Sequence, residues 1–357
     1  MRGIVFTGEL EVHDDVEVRA PGDREVKVRI MRAGLCHSDV SVINGTIPFP
    51  PPVVLGHEGA GVVEEVGSAV TMVKPGDHVV LTTLGNCGQC EACDRGLPTH
   101  CRNAVGGGAG MGRFTVGGKD AFQFANTGVF SEYTVVFETQ CVVIDKRVPL
   151  ESACLIGCAV LTGTGAVLNR AKVQPGESVA VIGAGGIGQS VIQGARLSSA
   201  SRIVVIDANP NKEAAARQMG ATDFIDASTA GDTVAALKDL LPNGVDYAFE
   251  CVGHPALIRQ AVDMLDWGGS CVLLGVPKMG TEASFVVNTM YNNKSILGCR
   301  YGAARPHYDI PLVVSFYLDG RFMLDEMVSK TYDLANIEEA LHDLEEGKLN
   351  RGVLTLD

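Results

Sequence analysis

Four cysteines lie within fifteen residues of this 357-residue chain and could bind one metal ion. They are Cys87, Cys90, Cys93 and Cys101, in the pattern C-x2-C-x2-C-x7-C. Four thiolates complete a tetrahedral zinc shell and leave no position for water or substrate, so the pattern predicts a structural zinc site. An iron–sulfur cluster and a disulfide pair are the alternatives. Pro98 precedes the last cysteine instead of following it, and the total of eleven cysteines is odd, so zinc is favoured.

Three further residues of the metal-binding type lie outside that group: Cys36, His57 and Cys158. One imidazole and two thiolates make a three-ligand set, which keeps a fourth position open for a reacting oxygen. The sequence therefore predicts two metal sites of different kinds, one closed and one able to do chemistry.

A glycine-rich turn in the second half of the chain has the context of a dinucleotide-binding loop. A buried strand is predicted over 178–182, the turn Gly183-Ala-Gly-Gly-Ile-Gly188 follows, and a helix is predicted over 189–197. Such glycines allow a tight turn, close approach of a pyrophosphate to backbone N–H groups, and close packing of helix on strand. Asp207 comes 24 residues after Gly183, where a carboxylate can accept both hydroxyls of an adenosine ribose. The alternatives are a plain strand-to-helix turn for the glycines and a helix N-cap for Asp207.

The elements that must position these residues differ between the two halves of the chain. The first half is rich in Val, Gly and Pro, and its strands are predicted at 25–32, 61–66 and 78–82. From about Gly163, short apolar strands alternate with helices, which is typical of a parallel sheet. These strands are predicted at 178–182, 203–206, 245–249 and 270–274, and a loop is predicted at 106–112. We therefore expect a β-rich domain and an α/β domain.

Composition argues against several classes of protein. The formal net charge is −13 with no basic block, which argues against a nucleic-acid surface. No apolar run approaches the ~20 residues that cross a bilayer, and the first residues lack the pattern of an export signal. The sequence therefore predicts a cytoplasmic protein with small-molecule partners and with neither a membrane nor a nucleic acid as partner.

The chain resembles the zinc-containing medium-chain alcohol dehydrogenases over essentially its whole length. Besides the four-cysteine lobe and the glycine turn, the resemblance rests on Gly34-Leu-Cys-His-Ser-Asp39, Gly56-His-Glu-Gly-Ala-Gly61, Phe130-Ser-Glu-Tyr-Thr-Val-Val136, Gly157-Cys158, Gly275-Val-Pro277 and Arg351-Gly-Val-Leu354. It implies an α/β protein with two domains. A GroES-like β-rich catalytic domain is implied at 1–160 and 303–357, with a Rossmann NAD-binding domain of doubly wound parallel-sheet type inserted at 161–302.

The resemblance implies two zinc ions per chain, a structural one in the lobe and a catalytic one held by Cys36, His57 and Cys158. Glu58 is implied to lie behind the catalytic metal, Asp39 to hydrogen-bond His57, and Ser38 to take the proton of the bound alcohol. The residues implied to contact NAD are His37, Thr162, Gly183, Gly185, Gly186, Ile187, Gly188, Asp207, Lys212, Val276 and Arg351. The alternatives are a solvated helix charge for Lys212, a surface salt-bridge partner near Glu58 for Arg351, and a buried structural hydroxyl for Ser38.

Some positions lack the polar groups that relatives carry. Ser41 stands where many family members end a proton relay in histidine, so His37 or water is left for the last step. Family members that oxidise glutathione adducts of formaldehyde carry charged residues at positions that are Ile47, Phe49 and Val105 here. A substrate with several charges is therefore not expected.

Other positions shape the predicted substrate pocket. Thr83 and Ala125 stand where larger side chains are usual in the family, and Phe49 and Phe124 are expected to form apolar walls. The main prediction is therefore a zinc-dependent dehydrogenase that transfers a hydride between NAD and a bulky apolar or aromatic alcohol, or its aldehyde or ketone.

Other functions stay open. The segments 193–197 and 246–250 look like those of thiol-dependent formaldehyde dehydrogenases that use mycothiol, and of nicotinoproteins, which are alcohol oxidoreductases that never release NAD. A non-catalytic NADH-binding protein on the same fold is a further alternative. The long segment 102–129 resembles that of dimeric members, so a homodimer is expected, with a tetramer as the alternative.

Overall fold

A computed structural model describes residues 1–103 and 112–356 and divides the chain into two compact units. Unit 1 consists of Met1–Cys158 and Arg305–Asp357, and unit 2 of Ala159–Ala304. Val105 and nearly all of the loop predicted at 106–112 lie outside the described residues.

Unit 1 is built mainly from β-strands. Its strands are β1 Gly3–Phe6, β2 Leu10–His13, β3 Val16–Val18, β4 Glu25–Gly34, β5 Val53–Val54, β6 Glu58–Val66, β7 His78–Leu81, β8 Phe114–Val116, β9 Lys119–Gln123, β10 Tyr133–Phe137, β11 Cys141–Val143, β18 Val328–Asp333 and β19 Arg351–Thr355. Its helices are α1 His37–Ile43, α2 Glu91–Asp94, α3 Leu150–Ala153, α9 Pro306–Leu318 and α10 Ile337–Glu345. The three strands predicted in this half are confirmed as β4, β6 and β7, with ends shifted by one to three residues.

Two sheets form the framework of unit 1 among the described residues. One has the order β2-β1-β5-β9-β8-β3, and the other has the order β11-β7-β6-β4-β19-β18, with β10 also paired to β4. Strand β4 lies in the middle of the second sheet, between β6 and β19. Its alternate residues point into the core, and Val26, Val28 and Ile30 are completely buried. Its antiparallel pairing with β6 aligns Gly34 with Glu58. The residues that follow Gly34 and precede Glu58 therefore meet at one end of this sheet.

Unit 2 contains the predicted parallel sheet. Its strands are β12 Ser178–Ile182, β13 Arg202–Asp207, β14 Asp223–Asp226, β15 Val245–Glu250, β16 Leu265–Leu273 and β17 Ser295–Gly298. Its helices are α4 Ala159–Gly165, which continues as a π-helix over Ala166–Ala171, α5 Gly186–Leu197, α6 Glu213–Met219, α7 Thr233–Leu240 and α8 Pro255–Asp263. All neighbouring strands are parallel, in the order β14-β13-β12-β15-β16-β17. This is the strand order of a Rossmann fold, and the prediction of a doubly wound sheet is confirmed.

The central strand of unit 2 is apolar because both faces of a parallel sheet are covered. Every residue of β12 is buried, from Ser178 to Ile182. In the part of the chain that the structure describes, no single helix has the length and apolar character needed to cross a membrane; one bent pair, Leu150–Gly157 with Ala159–Ala171, meets those two criteria together.

Candidate metal and dinucleotide sites

The four cysteines of the predicted structural site converge in unit 1. Their sulfur atoms all lie within 4.8 Å of one another, with 3.6 Å between Cys90 and Cys93 and 3.6 Å between Cys87 and Cys101. A disulfide would bring two sulfurs to ~2.05 Å, so these are separate thiols. Four sulfurs placed ~2.3 Å from one zinc ion in a tetrahedron lie ~3.8 Å apart. The spacing in the structure therefore fits one zinc ion.

Short local turns arrange this lobe. Helix α2 begins directly after Cys90 and carries Cys93, and a 3-10 turn at Pro98–His100 leads into Cys101. A hydrogen bond from the Gln89 backbone lowers the pKa of Cys87 to about 7, whereas burial raises the pKa of Cys101 to about 11. Four thiols this close cannot all ionise without a cation, and a dication removes that conflict.

A second group of ligand atoms lies at the end of the sheet where β4 and β6 pair. The sulfurs of Cys36 and Cys158, a ring nitrogen of His57 and a carboxylate oxygen of Glu58 all lie within 4.8 Å of one another. Cys36 follows β4 and precedes α1, His57 directly precedes β6, and Cys158 follows a 3-10 turn at Cys154–Gly157. Three of the four residues are at most 8% exposed. The structure thus brings together residues that are up to 122 positions apart in the sequence.

Asp39 orients the imidazole of this group. Its Oδ1 atom lies 3.4 Å from Nδ1 of His57 and accepts the backbone N–H of Gly56 at 3.0 Å. Burial lowers the pKa of His57, but the charges of Asp39 and Cys36 outweigh it, so the pKa is raised well above its usual value. Because Nδ1 faces the carboxylate, Nε2 is the nitrogen left for a metal.

Glu58 has a partner on its other side, from a distant part of unit 1. Arg351, at the start of β19, forms an ion pair with the Oε2 atom of Glu58, and both side chains are almost fully buried. The Oε1 atom of Glu58 is buried and has no hydrogen-bond partner among the residues that the structure describes. Burial raises the pKa of Glu58 to about 7 even though the charge of Arg351 lowers it. An orphaned carboxylate oxygen among thiols and an imidazole fits a site for a cation.

The pair with Glu58 bears on two of the interpretations of Arg351. The side chain of Arg351 is 5% exposed, so the alternative interpretation of Arg351 as a salt-bridge partner on the surface is wrong. Its predicted contact with a pyrophosphate stays a prediction. His37 and Ser38 lie in the first turn of α1 directly after Cys36, with His37 exposed and Ser38 half-buried, and their predicted roles are likewise untested.

Aromatic side chains border the buried imidazole. The Phe124 ring packs edge-on against His57 with 5.4 Å between centroids, and Phe49 packs on Phe124 at 5.6 Å. Phe122 packs on Phe49 at 6.1 Å and extends this aromatic row; sequence reasoning missed it, although its place on β9, two residues before Phe124, was the available signal. Ala125, next to Phe124, has left-handed backbone angles with φ of 51°.

The predicted dinucleotide loop of unit 2 follows β12 directly. Gly183 has φ of +94°, and Gly185 caps the N-terminus of α5 with open space where a side chain would be. A Cβ at Gly188 would lie 1.9 Å from the carbonyl oxygen of Gly183, so only glycine allows the helix to pack so closely. These conformations suit the approach of a pyrophosphate to the backbone.

Asp207 at the end of β13 completes the loop. It accepts the backbone N–H groups of Ala184 at 2.7 Å and Asn209 at 2.9 Å, and Lys212 lies 3.3 Å away. The helix N-cap alternative applies to Asn209 instead, whose side chain accepts the N–H of Asn211.

The other predicted cofactor residues of unit 2 lie in α4, at the start of α5 and after β16. Thr162 is buried in α4, Gly186 and Ile187 open α5, and Val276 follows β16 with 65% of its surface exposed. A Cβ on Gly163 would lie 2.5 Å from the carbonyl oxygen of Ile187, so α4 and α5 touch next to Thr162.

Comparisons with known proteins place both units in known domain families. Residues 22–146 match the alcohol dehydrogenase GroES-like domain, and residues 186–319 match the zinc-binding dehydrogenase domain. A probable S-(hydroxymethyl)glutathione dehydrogenase 1 of Schizosaccharomyces pombe is 38% identical over 96% of this chain and 93% of its own.

Solved structures show the same likeness. An alcohol dehydrogenase zinc-binding domain protein from Burkholderia ambifaria has a TM-score of 0.94 at 36% identity, covering 100% of this chain and 98% of its own. The benzyl alcohol dehydrogenase of Acinetobacter calcoaceticus has a TM-score of 0.92 at 34% identity, covering 100% and 99% of the two chains.

Proposed function

Because this chain belongs to the zinc-dependent medium-chain alcohol dehydrogenase family, we propose that it is an NAD-dependent dehydrogenase of hydroxymethyl adducts of a low-molecular-weight thiol. The observation that carries the proposal is the similarity, over 96% of the chain, to a relative named as an S-(hydroxymethyl)glutathione dehydrogenase. The comparisons thus favour the thiol-dependent alternative over the main prediction of a bulky alcohol. In the reaction the C–OH group becomes a carbonyl, its proton goes to solvent and a hydride goes to NAD.

The residues that would hold the catalytic zinc are Cys36, His57 and Cys158. When bound there, zinc supplies a Lewis acid that lowers the pKa of the substrate hydroxyl. Asp39 fixes the tautomer of the imidazole by its contact with Nδ1. Arg351 balances the charge of Glu58 in a buried environment, which keeps a carboxylate available beside the ligands.

The proton and the hydride leave by different routes. Ser38, two residues after the first ligand, accepts the hydroxyl proton and passes it toward solvent; the last step falls to His37 or water, since Ser41 cannot act as a base at neutral pH. The glycine loop and Asp207 would hold the pyrophosphate and the adenosine ribose of NAD, and the bound NAD would supply the acceptor for the hydride.

The thiol is expected to carry fewer charges than glutathione. Ile47 and Phe49 stand where the glutathione-specific relatives have charged residues, and Phe49 packs into the aromatic row with Phe122 and Phe124. Burying an unpaired carboxylate against such a row would be unfavourable. The same row supports a second candidate function, the oxidation of aromatic primary alcohols, and the similarity to a benzyl alcohol dehydrogenase agrees with it.

The test is NAD reduction by the purified enzyme with formaldehyde, formaldehyde plus glutathione, formaldehyde plus mycothiol, or benzyl alcohol. We expect oxidation of formaldehyde only after a thiol is added, and a higher catalytic efficiency with mycothiol than with glutathione. A higher efficiency with benzyl alcohol than with every thiol adduct would refute the proposal in favour of the second candidate. Absorbance from dinucleotide that survives gel filtration would identify a nicotinoprotein.

We also propose that the enzyme is a homodimer. Strand β17 ends the sheet of unit 2, and its outer edge has no strand partner among the described residues. Trp267, Val287 and Tyr291 of this unit are 78%, 75% and 91% exposed. An open strand edge and exposed apolar side chains in the same unit are both features that a second copy can cover. Sedimentation equilibrium should give the mass of two chains; a monomer would contradict the proposal, and a tetramer would support the alternative.

A further inference from the structure

Gln140 is a completely buried amide whose hydrogen bonds tie two segments of unit 1 together. It ends the 3-10 turn Glu138–Gln140 that connects β10 with β11. Its Nε2 atom donates to the carbonyl oxygen of Thr82 at 3.1 Å and to that of Asn126 at 3.1 Å. Its Oε1 atom accepts the backbone N–H of Phe137 at 3.2 Å. Both N–H groups of the amide and its carbonyl are thus engaged, so the side chain has one favourable orientation.

The two carbonyls belong to segments that contain the predicted walls of the substrate pocket. Thr82 directly precedes Thr83, and Asn126 directly follows Ala125 in the turn after Phe124. The same turn is held on its other side by Thr127, whose hydroxyl lies 3.2 Å from the carbonyl oxygen of Gly56. Gly56 is the residue before the ligand His57. The turn that carries Phe124 is therefore hydrogen-bonded on one side to Gly56, next to the metal ligand His57. On the other side it is linked through Gln140 to Thr82.

The backbone conformation of this turn requires stabilisation by hydrogen bonds from its surroundings. Ala125 has φ of 51° and Asn126 has φ of 61°, and two successive non-glycine residues in the left-handed region are unfavourable unless their surroundings hold them. The carbonyl of Asn126 is the group that Gln140 binds. Losing that bond removes the tether on the Thr82 side, while Thr127 still holds the other side, so the Phe124 ring, packed edge-on against His57 at 5.4 Å, is held less firmly.

We propose that Gln140 is a positioning residue for specificity, which fixes the Phe124 wall relative to the Thr83 segment and to His57. It touches neither metal ligands nor the substrate in this assignment, and it acts through Phe124. The proposal rests on the dehydrogenase activity of the proposed function but not on the identity of the thiol. It predicts that Gln140 affects substrates that pack on Phe124 and leaves small ones nearly unaffected.

The experiment compares benzyl alcohol with ethanol in the holoenzyme and in Gln140→Met, which keeps the volume and removes the hydrogen bonds. Catalytic efficiency with benzyl alcohol should fall about tenfold relative to ethanol, the factor expected for about one hydrogen bond. Zinc content and NAD affinity should not change. Gln193→Met, in helix α5 of unit 2, is the matched control because Gln193 is also completely buried, and its efficiency ratio should equal that of the wild type.

A double-mutant cycle separates positioning from general structural support. In a Phe124→Ala background, Gln140→Met should no longer change the benzyl alcohol to ethanol ratio, because the wall it positions is gone. An unchanged or increased ratio in the single variant, or the same decrease in the Phe124→Ala background, would overturn the proposal. Should Gln140→Met not fold, Gln140→Asn retains a polar amide that is too short to reach both carbonyls, and the same cycle applies to it. Because neither alcohol needs a thiol, these outcomes are independent of the test with formaldehyde.

Discussion

The two cysteine-containing clusters of unit 1 use similar ligands in opposite ways. The four-cysteine lobe takes all its ligands from one stretch of fifteen residues, and three of them are partly exposed. The other cluster takes its ligands from Cys36, His57 and Cys158, which are held at a sheet end and a turn. Its neighbours include Asp39, Glu58 and Arg351, three buried charged residues. A site defined by local spacing depends on its metal for shape, whereas a site assembled by the fold has its shape before the metal arrives.

The largest expected effect is on the lobe. Replacing Cys93→Ala should remove much of the soluble folded protein, because short local turns carry the cysteines of the lobe and a structural zinc ion contributes ~10 kcal/mol or more to folding of such a motif. Soluble yield and the thermal midpoint by circular dichroism measure this. An unchanged midpoint would show that the lobe has its shape without zinc, and the comparison would then fail.

The matching change in the assembled cluster should act on turnover and not on folding. Cys158→Ala should lower kcat by about a thousandfold or more, since the Lewis acid contributes several kcal/mol to the chemical step. The thermal midpoint and NAD affinity should stay close to wild type, and zinc content should fall from two ions per chain to one. Wild-type enzyme with full activity and a single zinc ion would contradict this account of two sites.

The dinucleotide loop offers a third case, in which a local glycine pattern is completed by Asp207. Two like charges ~4 Å apart repel by ~1 kcal/mol in water and ~4 kcal/mol in a partly screened site, which gives a preference of about tenfold to a thousandfold for NAD over NADP. Asp207→Asn removes the charge and keeps one acceptor oxygen, so it retains the hydrogen bond from the N–H of Asn209 or of Ala184 but not both. The ratio of catalytic efficiencies should shift toward NADP, and an unchanged ratio would remove Asp207 from this role.

The smallest expected effect is on zinc affinity, and it compares the two zinc sites within one protein. Asp39→Asn should weaken zinc binding at the assembled cluster by about tenfold to a hundredfold, because the imidazole loses the charge that orients it. Zinc in the lobe should be held as before, and so serves as an internal control. Competition with a chromogenic chelator resolves the two ions. Equal weakening of both would mean that Asp39 acts on overall stability.

How well the sequence predicts a site follows the same distinction. The lobe and the glycine loop could be predicted because all their residues lie close together and spacing alone defines the geometry. The assembled cluster could be suggested by residue type, but its ligand set was implied by family resemblance, since the pairing of β4 with β6 that unites it has no local signature. The same holds for the pair of Glu58 with Arg351, which are 293 residues apart.

Gln140 and Phe122 are two residues of this region that the sequence analysis did not identify. The functional partners of Gln140 are backbone carbonyl oxygens, which every residue possesses, so no pattern of residue types marks them. The sequence likewise gives no indication of the left-handed backbone angles at Ala125 and Asn126, since there is no glycine at either position. Phe122 could have been read as an ordinary strand residue, and only the packing of Phe49 assigns it to the aromatic row.

The division of unit 1 into two segments has a consequence for how the protein is made. Strand β19, which pairs with β4 and supplies Arg351, is translated after all of the 146 residues 159–304. At ~5–20 residues per second, the ribosome needs roughly seven to thirty seconds to pass through that insertion. During this interval residues 32–34 of β4 lack their partner strand β19, and the carboxylate of Glu58 lacks the charge of Arg351. The second segment therefore completes the catalytic domain late in translation. A chaperone that binds exposed strand edges can bind the first segment during this interval.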